Sequence, residues 1–163
     1  MSYTVYQVGS TTIPFLHFTH DIDYIVIDAT EEEKKTLKEK YQSKAKNSNI
    51  DAYITHNQIK EREVAYYGLS PYARLVEGED KNLVGIKIDR NKVIEYCKKF
   101  IERYSFDELR DRKPTYHVLL TCFRLNGKDS PDKLSDKEKH WVQLCHDRMM
   151  TSEIYEYIKT VLK

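Results

Sequence analysis

Two carboxylates, Asp21 and Asp23, open the alternating apolar run DIDYIVI (Asp21–Ile27). Residues two apart on a strand face the same side, so the two acids project together while Ile22 and Tyr24 point the other way. Acids so close repel one another and hold a proton more tightly, unless a cation lies between them. Mg²⁺ takes such oxygen ligands and keeps its remaining positions for triphosphate oxygens and water; Mn²⁺ would serve equally. A second β-prone run, IDAYIT (Ile50–Thr55), carries Asp51, a third carboxylate that would let a second metal bind. Two metals about 3.5–4 Å apart activate an attacking hydroxyl and neutralise a leaving pyrophosphate. Upstream, Gly9-Ser10 ends the run Thr4–Val8. Backbone amides in such a tight turn form an anion nest suited to the β- and γ-phosphates. Asp89, at the end of Asn82–Ile88 (NLVGIKI), competes for the third place, but Asp51 is preferred because Asp89 lies further along and ends its segment.

The elements that must position these groups follow from pattern. Thr4–Val8, Asp21–Ile27, Ile50–Thr55 and Asn82–Ile88 read as strands. Thr30 followed by Glu33 has the capping-box pattern, and Leu37 and Tyr41 at i, i+4 spacing predict an exposed helix running to about Lys46. Ile59–Tyr67 fits either helix or strand. From Asn91 the periodicity is helical. Val93, Cys97, Phe100 and Tyr104 share a face, and further helices are predicted at Pro114–Leu125, Asp136–Asp147 and Ser152–Leu162. The expected fold is α/β, with a small mixed sheet over residues 1–90 and a helical C-terminal part over 91–163.

Composition narrows the function classes. The chain has 163 residues, with 27 Lys and Arg against 26 Asp and Glu, for a formal charge of +1. That balance argues against binding DNA by bulk electrostatics. Cys97, Cys122 and Cys145 are far apart and lack metal-ligand spacing, which predicts reduced thiols. The start MSYTVYQVGS has neither a basic n-region nor an apolar h-region, and no apolar run reaches the roughly 20 residues of a membrane span, so a cytoplasmic protein is expected. The richness in Lys, Ile, Tyr and Asn fits an AT-rich genome such as that of a virus or phage.

Gly9-Ser10, the ten residues Thr11 to His20, then Asp-hydrophobic-Asp-hydrophobic, resembles the signature of the polymerase-β-type nucleotidyltransferase superfamily, in particular its small bacterial and phage members. The helix and the later strand bearing Asp51 resemble that family's next elements. The likeness covers about residues 4 to 55. It implies that Gly9 and Ser10 bind the nucleotide, and that Asp21 and Asp23 ligate metal. It also implies that Asp51 completes the metal site and acts on the incoming hydroxyl. The implied activity is Mg²⁺- or Mn²⁺-dependent transfer of a nucleoside monophosphate from an NTP such as ATP to a hydroxyl acceptor on a protein, a tRNA or a small molecule. The competing expectation is a catalytically degenerate member of the same fold, serving as an antitoxin-like or viral host-interaction module.

Other features read as structure. His17-Phe18-Thr19 resembles half of a two-histidine phosphoesterase site, but neither His56 nor His117 supplies the partner motif. His117, on a predicted apolar helix face, reads as a core histidine, and Trp141 as helix packing. Lys34, Lys35, Lys38 and Lys40 read as a solvated helix face paired with nearby Glu. Arg110, Arg112 and Lys113 form a small basic cluster that reads as a solvated loop in preference to a contact with an acceptor such as RNA or with a partner protein.

Overall fold

The computed structural model describes residues 2–163; Met1, the first residue of the expected 1–90 core, lies outside them. The fold is α/β. Among the described residues a mixed sheet of four strands is joined to seven helices, the last five of which form the C-terminal half. Among the described residues no helix is long and apolar enough to cross a membrane.

β1 (Thr4–Val8) lies at the middle of the sheet, antiparallel to β2 (Ile22–Ile27), with Val8 opposite Asp23. Asp21 stands one residue before β2 rather than within it. From β2 the chain enters α1 (Glu31–Tyr41) and returns to β3 (Ser48–Ile54), which runs parallel to β2. A parallel neighbour requires such a crossover, and this one is set by a strong helix start. Thr30 Oγ1 accepts from the Glu33 amide at 3.1 Å while Glu33 Oε1 accepts from the Thr30 amide at 3.0 Å. Leu37 and Tyr41 bury one stripe of α1 against Val5, Val26 and Ile50, as their spacing predicts.

The other sheet face receives α2 (Ile59–Tyr66), so the ambiguous segment Ile59–Tyr67 is helical. Its Ile59 packs with Tyr6, Ile25, Ile27 and Leu83. The remaining helices, α3 (Arg90–Glu102), α4 (Phe106–Arg110), α5 (Thr115–Leu125), α6 (Asp136–His146) and α7 (Ser152–Val161), gather the largest core. α5 is its axis, buried on nearly every side, and Ile13, Leu16, Leu69 and Tyr72 from the first half pack into the same cluster. Cys97, Cys122 and Cys145 are free thiols inside it. Trp141 packs edge-on against Tyr157 at 5.5 Å.

α2 and α5 meet at Gly68. A methyl group placed there would lie 2.3 Å from the Thr121 backbone nitrogen, so only hydrogen fits. The Gly68 amide donates to Thr121 Oγ1 at 3.1 Å, and that hydroxyl donates to the His117 carbonyl at 2.8 Å.

Sequence expectations are corrected at several points; the first helix, expected to run to about Lys46, ends at Tyr41. Asn82–Ile88 is not a strand; its centre, Leu83–Gly85, is a single 3-10 turn. Asn82 adopts the left-handed conformation (φ 52°) and its Oδ1 accepts from the Gly85 amide at 3.2 Å. A side chain that offers the backbone a local partner outcompetes the ladder that the β-branched residues would otherwise join. The fourth strand is instead β4 (Arg74–Glu77), antiparallel to β1 at the sheet edge. α4 is an additional short helix, capped by the Ser105–Glu108 box.

Candidate active site

Asp23 leaves β2 on the face that meets α2 and α5, because the alternation that sends Tyr24 and Val26 under α1 sends Asp23, Ile25 and Ile27 the other way. Gly9, one residue beyond Asp23's partner Val8, lies against the Asp23 carboxylate. Its φ of +83° is open to glycine at little cost, and a Cβ there would come 3.1 Å from Asp23 Oδ2. The following turn, Ser10–Thr12, is fixed by Thr12 Oγ1 donating to the Gly9 carbonyl at 2.8 Å, and it buries Ser10.

Asp51 reaches the same face through an irregularity. β2 and β3 pair Tyr24 with Ile50 and then Ile25 with Ala52, so Asp51 is an extra residue on β3. Ile50 packs under α1, whereas Asp51 lines the cavity on the opposite face and Ala52 joins the core there. Two successive side chains thus share one side, which a regular strand forbids and a bulge allows. The bulge aims Asp51 at the cavity without exposing the apolar residues after it.

Three carboxylates meet electrostatically here. The Asp23 carboxyl is held above its usual range, chiefly by burial, then by the charges of Asp51 and Asp21, with Lys113 opposing. Lys113, just before α5, is thus near enough for its charge to act on Asp23. Its sequence neighbours behave differently: Arg112 stacks on Tyr104 at 3.8 Å, and Arg110 faces Asp107 and Asp111. Asp89, the rival for the third place, caps α3 by accepting from the Asn91 amide at 2.9 Å.

A cavity of about 170 Å³ opens beside Asp23 and Asp51. Its walls are Ile25, Ile54, Ile59 and Leu83 with the rings of Tyr66, Tyr116 and His117. Residues of α2 that carry no motif complete it. Arg62 pairs with Asp51 and lies over the Tyr66 ring at 4.7 Å. Glu63, 5% exposed, sits deeper; burial raises its carboxyl to about 7, against the opposing pull of Ser70 and Arg124. Glu63 Oε2 is buried without a hydrogen-bond partner, and the nearest cation, Arg124 Nη1, is 3.8 Å away. Arg124 is spent elsewhere: it donates to the Tyr67 carbonyl (2.6 Å), Ser70 Oγ (2.8 Å) and the Val84 carbonyl (3.0 Å). His117 is held neutral, lowered to about 3 by burial and by the charges of Lys113 and His146. The core histidine expected from sequence is therefore also a cavity wall. Tyr116, raised by burial and by Asp23, packs edge-on against it at 4.4 Å.

On the outer side of Asp23 lies a shallow groove of about 730 Å³, bordered by Asp21, Asn47 and Asn49 with Lys38 and Lys44. Lys38, read from sequence as part of a solvated helix face, thus stands at the edge of the carboxylate pair. The remaining candidate, His17, is exposed, and the Gln143 side chain bonds its amide and carbonyl, at 2.7 and 3.2 Å.

Among the described residues no set of three or more His, Cys, Asp or Glu side chains is arranged to hold a metal ion. The donor chemistry is nonetheless that of a hard cation. Asp21 and Asp23 are oxygen donors whose mutual charge, with that of Asp51, raises proton affinity at Asp23, and a divalent ion would relieve that repulsion. Asp51 differs from the pair in already having a cationic partner, Arg62. Comparison with family models, with curated proteins and with solved structures gives no match for this chain.

Proposed function

We propose that the protein is a metal-dependent nucleotidyltransferase, moving a nucleoside monophosphate from an NTP to a hydroxyl acceptor. The observation that carries this reading is Asp23 set against Gly9, with the charges of Asp51 and Asp21 acting on its carboxyl. Asp21 and Asp23 would hold Mg²⁺ or Mn²⁺, which would offset charge on the triphosphate and the leaving pyrophosphate. Gly9 clears space beside Asp23, and the turn after it faces the phosphates. Lys38 and Lys44 add positive charge along the adjoining groove. Asp51 would accept the proton of the attacking hydroxyl once Arg62 releases it. The acceptor is a protein, a tRNA or a small molecule.

The test is calorimetric titration of a non-hydrolysable ATP or GTP analogue with Mg²⁺ or Mn²⁺. Wild type is expected to bind only with metal, and Asp21→Asn/Asp23→Asn to lose at least about 100-fold in affinity, since metal contacts to phosphate contribute several kcal/mol. A folded wild type that binds no nucleotide refutes the enzyme reading.

One observation favours a second reading, a degenerate fold acting as a binding or regulatory module. The Arg62–Asp51 pair compensates one carboxylate without any metal. On that reading Asp21→Asn/Asp23→Asn leaves every binding property unchanged.

A further inference from the structure

The cavity behind Asp23 holds a carboxylate that nucleotidyl transfer does not call for. Glu63 is on α2, four residues after Ile59, so the same helical stripe that anchors α2 to the sheet drives it inward. A buried acid with an oxygen left without a hydrogen bond is costly, and such groups in native proteins call for an explanation. Here the free oxygen, Oε2, belongs to a residue lining a cavity walled by Tyr66, Tyr116 and His117. Those rings offer stacking faces, and base–aromatic stacking is sequence-tolerant. At about 170 Å³ the cavity lies below the range of roughly 300–1,000 Å³ that takes a whole drug-sized ligand, so it suits one ring system with the remainder of the ligand outside. What stands at its mouth is Asp23, where the phosphates of a nucleotide would begin.

We propose that this cavity is the nucleobase subsite and that Glu63 selects guanine, its carboxylate accepting from the adjacent N1–H and 2-amino donors of that base. An ionised carboxylate offers acceptors only, which suits guanine's two neighbouring donors. It does not suit adenine, whose corresponding edge pairs one donor with one acceptor. Arg124 at 3.8 Å favours the ionised form while committing its own donors to the Tyr67, Ser70 and Val84 oxygens. Glu63 is thus a specificity-determining residue. The inference rests on the nucleotidyl-transfer reading for the direction of the base, but the subsite can be probed without phosphate or metal.

The experiment titrates guanosine, inosine and adenosine, metal-free, into wild type, Glu63→Gln and Glu63→Ala, with the fold of each checked by circular dichroism. In wild type, guanosine is expected to bind about 10- to 100-fold more tightly than inosine, which lacks the 2-amino donor, since a hydrogen bond to a charged group contributes about 1.5–3 kcal/mol. Both variants are expected to level guanosine with inosine. Equal binding of the three nucleosides, no binding of any of them, or a guanosine preference that survives in both variants overturns the assignment. Mg²⁺·GTP and Mg²⁺·ATP titrated in parallel separate the two proposals. Metal-dependent binding of both triphosphates with equal affinity defeats the base assignment alone. Guanosine selection without any gain from triphosphate and metal defeats the nucleotidyl-transfer reading alone.

Discussion

Two glutamates on opposite faces of the sheet have opposite fates. Glu77, at the end of β4, sits on the α1 side and accepts from Tyr3 Oη at 2.7 Å, Lys40 Nζ at 2.9 Å and the Tyr41 hydroxyl. Led by the Tyr41 bond, these partners hold its carboxyl down at about 2. Glu63, on the α2 side, has an oxygen with no partner and is raised to about 7. On the α1 side the Glu77 carboxylate is bonded by three protein groups. The other side leaves one Glu63 oxygen without a hydrogen bond and sets Asp23 under the charges of Asp51 and Asp21. Proteins tend to break their own packing rules where they function, so the contrast locates the site independently of any motif.

Three substitutions sharpen or break that contrast. The largest effect is expected at Glu77→Gln. Glu77 has a folded pKa of about 2 against an ordinary 4.5, so its stabilisation is present above 4.5 and is lost as pH falls towards 2. Urea unfolding at pH 7 should show a loss of about 2–3 kcal/mol that shrinks through that window. A loss independent of pH would mean that Glu77 matters for shape rather than charge.

Glu63→Gln should do the reverse. With a folded pKa of about 7 against 4.5, the native state binds the proton more tightly, so wild-type stability falls as pH rises from 4.5 to 7 and then levels. The variant should therefore gain about 1–3 kcal/mol over wild type at pH 8 and nothing below pH 4.5. A variant less stable than wild type at pH 8 would show that Arg124 compensates Glu63 fully, and the contrast between the faces would fail.

The smallest effect is expected at Thr30→Ala, which removes half of the α1 capping box. It should cost about 1 kcal/mol at every pH, and nucleotide affinity should not change. A drop in affinity would mean that the α1 side also shapes the site.

How much of this was legible in the chain differs by element. Asp23 and its strand were, because alternation in DIDYIVI sorts side chains between two faces without further information. The α1 cap was, because Thr30 and Glu33 need only each other. Asp51 was legible as a residue but not in its aim, which depends on a bulge that exists only where β3 meets β2. Arg62 and Glu63 were not, since charged residues in a short helix read as solvent-facing until something packs over them. Here that covering comes from α5, more than fifty residues away, through Arg124 and His117. β4 was missed for a related reason: Leu75 and Val76 are exposed on an edge, so burial leaves no pattern in them. NLVGIKI misled in the opposite sense, its β-branched residues outweighed by one asparagine.

Gly68 sets a dimension that none of the lining residues controls. With only a hydrogen between α2 and the Thr121 backbone, the separation of the helices bearing Glu63 and His117 is close to its minimum. A larger residue there would act as a wedge between the turn after α2 and α5, and would change the thickness of ligand admitted rather than its chemistry. Ligand preference can be rewritten one wall residue at a time, while the gauge of the slot answers to Gly68, which contributes no side chain to it.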